Sequence, residues 1–340
     1  MRTSTERSPH RVSVLALLRR FPSLARSLAR MDLGVHETPV ERWTVSGVSL
    51  LVKRDDHSAS HLGGNKVRAL ELLLAAVNPD HTLLTVGATG STHALAVAHY
   101  ARQLGARCEV ITWPQATNEV AVATGTRLET IACVTKARSV AEAYMRAGFR
   151  RMGRRATWIP AGGSVPLGAI GHAGAALELV EQIQRDALPM PHTIVVPLGS
   201  GGTVAGMLVG LSIAGLRTRV VGVRVVPRAV ANRWRVLRLA RQTRALLAQL
   251  AGEALPAIDA SRLEIEQSAY GEAYGRETVD ARVAAAALRA AGGPRLDGTY
   301  SAKTFGHALR RAARVPDGGV LFWLTFDGRW MTEENGVSDG

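Results

Sequence analysis

The stretch His192-Thr193-Ile194-Val195-Val196-Pro197-Leu198-Gly199-Ser200-Gly201-Gly202-Thr203-Val204-Ala205-Gly206-Met207-Leu208-Val209-Gly210-Leu211 decides the fold. Its first seven residues are mostly apolar, preceded by a proline and followed by a glycine, which reads as a buried parallel strand. Its last eight are small and apolar and read as a helix. Between them lies Gly199-Ser200-Gly201-Gly202-Thr203. A strand, a glycine turn and a helix start make an anion site, because backbone N–H groups close around the anion and the helix N-terminus adds partial positive charge. Ser200 and Thr203 add hydroxyl donors. The turn is neither G-x-G-x-x-G nor G-x-x-x-x-G-K-[ST], so the two commonest nucleotide fingerprints do not fit.

Around it, strand-like and helix-like segments alternate. Strands are expected at 48–53, 82–86, 108–113, 193–197, 219–226 and 320–325, and helices at 67–77, 92–104 and 167–185. This alternation predicts parallel sheets with helices on both faces and ligands beyond the C-terminal strand ends.

Composition sets the class. The chain has 340 residues, 46% hydrophobic and 21% charged, enough for one large or two ordinary domains and too apolar for extended disorder. Cys108 and Cys133 form neither a disulfide framework nor a metal-ligand spacing, so no metal is expected and a cytoplasmic setting is. No uncharged apolar run reaches membrane-spanning length, so no membrane contact is expected. The net charge of +14 raises nucleic-acid binding. The arginines, however, are spread along the chain. The densest run, Arg228 to Arg244, carries Val230, Trp234 and Leu237, with Leu247 just beyond, and reads as an amphipathic helix with a basic, solvated face. Solubility and weak anion steering are therefore expected, with no nucleic-acid partner. Residues 1–30 are basic and acid-poor like a transit peptide, but Phe21-Pro22-Ser23 interrupts any single helix. They read as a partly flexible basic arm.

Three further loops carry chemistry. In Ser60-His61-Leu62-Gly63-Gly64-Asn65-Lys66, a lysine opens a helix whose dipole disfavours its charge, as a neutral nucleophilic amine requires. Gly87-Ala88-Thr89-Gly90-Ser91-Thr92-His93 offers hydroxyls and N–H groups for a carboxylate, or an ordinary cap by Ser91 or Thr92; His93 could be a base or a packed side chain. Gly162-Gly163-Ser164 opens another helix, with Ser164 as cap. Three of the five tyrosines, Tyr270, Tyr274 and Tyr300, fall in two glycine-containing loops, which suits a site better than a core.

Together the segments resemble the pyridoxal-phosphate enzymes of the D-cysteine desulfhydrase and 1-aminocyclopropane-1-carboxylate deaminase family, of tryptophan-synthase-β-like fold (fold type II). The resemblance runs from about Phe21 to Gly328, strongest at Val52-Lys53-Arg54-Asp55-Asp56, Leu62 to Arg68, Gly162 to Ser164 and Gly199 to Thr203. It implies two α/β domains with the cofactor between them: a large one from 31–68 plus 177–340, a small one from 69–176, and a homodimer. It implies that Lys66 forms the internal aldimine, that Gly199, Ser200, Gly201, Gly202 and Thr203 hold the phosphate, and that Asn65 and Thr92 border the cofactor. Gly90, Ser91, Thr92, His93, Gly163 and Ser164 would surround the substrate. Ser91, Tyr274 and Tyr300 would join Lys66 in proton transfer. Ser301 falls where the family partners the pyridine nitrogen, with Thr325 a rival. The family's Gln-Ser-Asn-His is here Gly90-Ser91-Thr92-His93, and the deaminases' glutamate is here Ser301. A neutral hydroxyl there favours an unprotonated ring nitrogen and a weaker electron sink, which suits β-elimination or β-replacement better than ring opening. The expected activity is a lyase of the desulfhydrase or deaminase kind on a small α-amino acid. The alternatives are a β- or γ-replacement enzyme of a specialised pathway and a non-catalytic cofactor- or nucleic-acid-binding protein.

Overall fold

The computed structural model describes residues 14–75, 77–78, 80–152, 155–315 and 319–333. Its strands are β1 (Val40–Val45), β2 (Val48–Lys53), β3 (Thr82–Ala88), β4 (Cys108–Trp113) and β5 (Cys133–Lys136). They continue as β6 (Ala156–Ile159), β7 (Thr193–Leu198), β8 (Arg219–Arg224), β9 (Leu263–Glu266) and β10 (Val320–Trp323). The helices are α1 (Leu15–Arg20), α2 (Leu24–Ser27), α3 (Asn65–Leu73), α4 (Thr92–Gln103), α5 (Glu119–Ile131) and α6 (Val140–Met152). Then come α7 (Pro166–Arg185), α8 (Gly202–Ile213), α9 (Arg233–Ala251), α10 (Val279–Ala290), α11 (Ser301–Ala312) and α12 (Trp330–Glu333).

Two sheets result. One runs β1-β2-β10-β7-β8-β9 and the other β5-β4-β3-β6. The pair β1–β2 is antiparallel, and the remaining pairs are parallel, as the α/β alternation predicts. Every residue of β7 is buried. Ile194 and Val196 point into a core shared with α1, α7, α8 and α9, while Val195 points into the opposite core with α10 and α11. The glycine turn therefore leaves the C-terminal end of a central strand that is covered on both faces. No described helix is long and apolar enough to cross a membrane.

A buried ion network seats α3 against the larger sheet. Lys53 on β2 donates to Glu178 Oε1 at 2.6 Å, Gln182 Oε1 at 2.5 Å and the Thr38 carbonyl at 2.7 Å. Arg68 on α3 reaches both Glu178 oxygens at 3.1 Å and Asp55 at 2.7 Å. Each cation is buried and compensated, as burial of charge requires. Close packing does the rest: a Cβ on Gly171 of α7 would lie 2.1 Å from the Arg68 carbonyl.

The structure departs from expectation in four places. The first 13 residues of the basic arm lie outside the described residues, but Val14, Leu17, Phe21, Leu24 and Leu28 are buried in the larger core rather than forming a loose arm. Proline at 22 divides two short helices, as its interruption of any single helix implied. In α9, Leu237 and Leu247 are buried as expected, but Trp234 is 64% exposed. Strand β1 and the elements from α5 to β6 carried too weak a period to be read: β5 and β6 have four residues each, with mixed polarity. Finally, Tyr300 is not in a free loop but at the N-cap of α11, with Ser301 as its first residue.

Candidate functional site

One cavity of about 850 Å³ opens between the C-terminal ends of the two sheets. Lys66, the second residue of α3, lines it together with Gly199, Ser200, Gly201, Gly202 and Thr203. The two elements are in contact: Asn65 Nδ2 donates to Thr203 Oγ1 at 2.8 Å. The turn that delivers Lys66 is tightly held. Gly64 has φ +92, and a Cβ there would sit 2.2 Å from the Thr325 carbonyl. Its N–H donates to Ser58 Oγ at 2.8 Å, and the Gly63 N–H donates to Asp327 Oδ2 at 3.0 Å. Burial pushes the Lys66 amine down to about 8, against the opposing attraction of Asp297. The predicted neutral, nucleophilic amine is therefore accessible near physiological pH, with burial rather than the helix dipole as the main cause.

The anion turn is braced from the smaller sheet. Ser164 Oγ donates to Ser200 Oγ at 2.6 Å and accepts the Gly202 N–H at 3.0 Å. Gly201 is left-handed with φ +97, and α8 starts at Gly202. Ser164 lines the cavity and braces the anion turn, but it is not the expected helix cap: Val165 holds the N-cap position of α7, with no side-chain cap hydrogen bond.

On the opposite wall, Ser91 caps α4, its oxygen accepting the Ala94 N–H at 3.2 Å, and Ser91, Thr92 and His93 all line the cavity. Ser91 is thus the expected helix cap, and as a cavity-wall residue it leaves its hydroxyl beside the space where a ligand would sit. His93 Nε2 is buried without a partner among the described residues, and burial, helped by Lys66, pushes its imidazole down to about 3. It is a neutral ring at working pH. Gly90 and Gly163 fall outside the cavity lining.

Tyr274 and Tyr300 close the site as a pair. Their hydroxyls are 2.5 Å apart and their rings meet edge-on at 6.0 Å. Burial pushes the Tyr274 phenol up to about 12 and that of Tyr300 well above its usual range. Both are neutral donors rather than bases. Asp297, which the sequence reading did not single out, also lines the cavity. It accepts the N–H groups of Thr299 at 3.1 Å, Tyr300 at 2.6 Å and Ser301 at 2.9 Å, so it both caps α11 and faces Lys66. The signal available was an acidic residue three positions before Tyr300 at a helix start. Of the rivals for the ring nitrogen, Thr325 lines the cavity and Ser301, buried at the start of α11, does not.

A model of the family described as "pyridoxal-phosphate dependent enzyme" matches residues 31–325. The chain belongs to this family. Its cofactor is pyridoxal 5'-phosphate, and the residues present fit it: a lysine amine in the cavity, a glycine cradle hydrogen-bonded to that amine's helix, and an orphaned polar atom on the cavity wall, His93 Nε2. The chain is 36% identical over 289 residues to nocardicin C-9' epimerase of Nocardia uniformis, covering 81% of this chain and 85% of that protein. It is 30% identical over 312 residues to D-cysteine desulfhydrase of Serratia proteamaculans, covering 86% and 92%. The solved structure of an ACC deaminase homologue superposes with a TM-score of 0.72 at 26% identity, covering 91% of this chain and 94% of that one. These similarities bear out the fold-type-II α/β architecture and the family expected from the motifs.

Proposed function

We propose that the protein is a pyridoxal-phosphate-dependent lyase that removes a β-substituent from an α-amino acid, in the manner of the desulfhydrases and deaminases to which it is similar. The observation that carries the proposal is the Lys66 amine, held near pKa 8 by burial in the same cavity as the glycine turn. Bound, the cofactor supplies an electron sink for the charge left at the substrate α-carbon. The turn from Gly199 to Thr203 anchors and orients the phosphate. Hydroxyls of Ser91 and Thr92, with the N-terminal N–H groups of α4, hold the substrate carboxylate. Lys66 Nζ takes the α-proton, since its pKa is matched to neutral pH. The Tyr274–Tyr300 pair, protonated up to high pH, gives a proton to the departing group. Thr325 offers the ring nitrogen a neutral hydroxyl.

The relatives favour this reaction over replacement or a non-catalytic role. A second reading, epimerisation, has its own support in the relative at 36% identity that is named an epimerase. Both reactions start with removal of the α-proton by Lys66. They part at the next step: a lyase expels the protonated β-substituent, and water then converts the unsaturated remainder to a keto acid and ammonia, whereas an epimerase returns solvent hydrogen to the α-carbon of intact substrate. The division into domains at 69–176 and 31–68 plus 177–340, a homodimer and a cytoplasmic location complete the proposal. The two separate sheets support the first, and light scattering on the purified protein checks the second.

The test is the visible absorbance of purified protein mixed with the cofactor, followed by a panel of D- and L-amino acids with ammonia and keto-acid detection. Wild type acquires the band and Lys66→Ala does not. A Lys66→Ala protein that keeps the wild-type band and turnover overturns the proposal.

A further inference from the structure

The cavity has a gradient that simple amino-acid chemistry does not need. Its deep end is polar, with Lys66, Ser91, Thr92 and Asp297. Its mouth is apolar and is built by both halves of the molecule. From α6 come Val140 and Tyr144, one helical turn apart and 48% and 45% exposed; from the segment before α9 comes Val230, 46% exposed. The Tyr144 ring packs 6.3 Å from that of Trp113, which also lines the cavity. Arg235 lines the same mouth and lies within electrostatic reach of the Tyr144 phenol. Apolar side chains left open to water beside a polar reaction centre mark a binding surface.

We propose that this mouth is a distal substrate subsite that receives an aromatic ring carried on the side chain of the reacting amino acid. The inference rests on the amino-acid reading above and deepens it: the substrate is the amino-acid end of a larger, ring-bearing molecule rather than a small amino acid. Its amino and carboxylate groups go inward to Lys66 and α4. Its ring lies against Tyr144 and Trp113, where aromatic pairing adds to area burial, with the Arg235 guanidinium available over a ring face. Val230 closes the other side.

The experiment is a spectroscopic titration of the holoenzyme with both enantiomers of alanine, phenylalanine and homophenylalanine, reading the change in the cofactor band. At least one aromatic ligand is expected to bind roughly tenfold or more tighter than alanine of the same hand. Tyr144→Ala, with far-UV circular dichroism as the folding control, is expected to weaken the aromatic ligand about fivefold or more and leave alanine unchanged. Val230→Asn, from the other wall, is expected to do the same. A holoenzyme that binds alanine as tightly as every aromatic ligand overturns the subsite while leaving the amino-acid reading intact, as do variants that weaken alanine equally. A protein that takes up no cofactor, or whose band no amino acid perturbs, overturns the amino-acid reading and the subsite with it.

Discussion

Replacing Glu178 by glutamine removes the carboxylate that Lys53 and Arg68 share. In the native protein Lys53 and Arg68 face Glu178 and Asp55, so two buried positive charges meet two negative ones. The variant leaves one positive charge uncompensated in a region where Lys53 and Arg68 have no exposed surface. Burial alone would raise the Glu178 carboxyl; Arg68 and Lys53 overcome it and hold it at about 2, against an ordinary 4.5. A difference of that size corresponds to about 3 kcal/mol at neutral pH. Breaking a buried pair from one side typically costs about 3–5 kcal/mol, so two routes reach the same magnitude. Because the folded-state pKa is depressed, the stabilisation is fully present above pH 4.5 and fades as pH falls towards 2. Urea unfolding of wild type and Glu178→Gln is expected to show a gap of about 3 kcal/mol or more at pH 7 that persists at pH 5 and narrows in acid. Since Arg68 shares α3 with Lys66, cofactor affinity should fall as well. A gap under about 1 kcal/mol at pH 7, or one that widens on acidification, refutes the argument.

Three other perturbations probe the cavity directly. Gly162 has φ +72, and a Cβ there would lie 2.0 Å from Ser200 Oγ, so Gly162→Ala should displace the anion turn and weaken cofactor binding about tenfold in an apoenzyme titration, with far-UV circular dichroism unchanged. Asp297→Asn keeps an oxygen for the α11 amides but removes the charge that supports protonated Lys66; the pH midpoint for reductive methylation of Lys66 in the apoenzyme should move below about 8, and an upward move would contradict the assigned electrostatics. Tyr274→Phe deletes one of two hydroxyls set 2.5 Å apart, and a loss of about a hundredfold in kcat with little change in KM is expected if the pair supplies a proton in the transition state.

Much of the site was legible before any coordinates, because its parts are local. The glycine turn, the helix it opens and the lysine at a helix start are each specified by residues a few positions apart, where turn chemistry and the alternation of apolar runs carry the information. The same is true of Ser91 as a cap. The less regular half of the smaller sheet was not legible, since strands such as Cys133–Lys136 are too short to show a period. Trp234 misled because an apolar residue in an amphipathic pattern does not reveal which way the helix turns it.

What the chain determined by itself is the α/β alternation, the anion turn after β7 and the amine at Lys66, all set by backbone conformations and periodicities within a dozen residues. Only the tertiary structure decided that Ser164 braces the anion turn from 36 residues away, that Glu178 joins a cation 125 residues distant, that Asp297 faces Lys66, and that Tyr144 and Val230 share one mouth. The reason is physical. Local propensities act along the chain, whereas these partners are chosen by packing two sheets against shared helices, and that packing depends on the whole core at once.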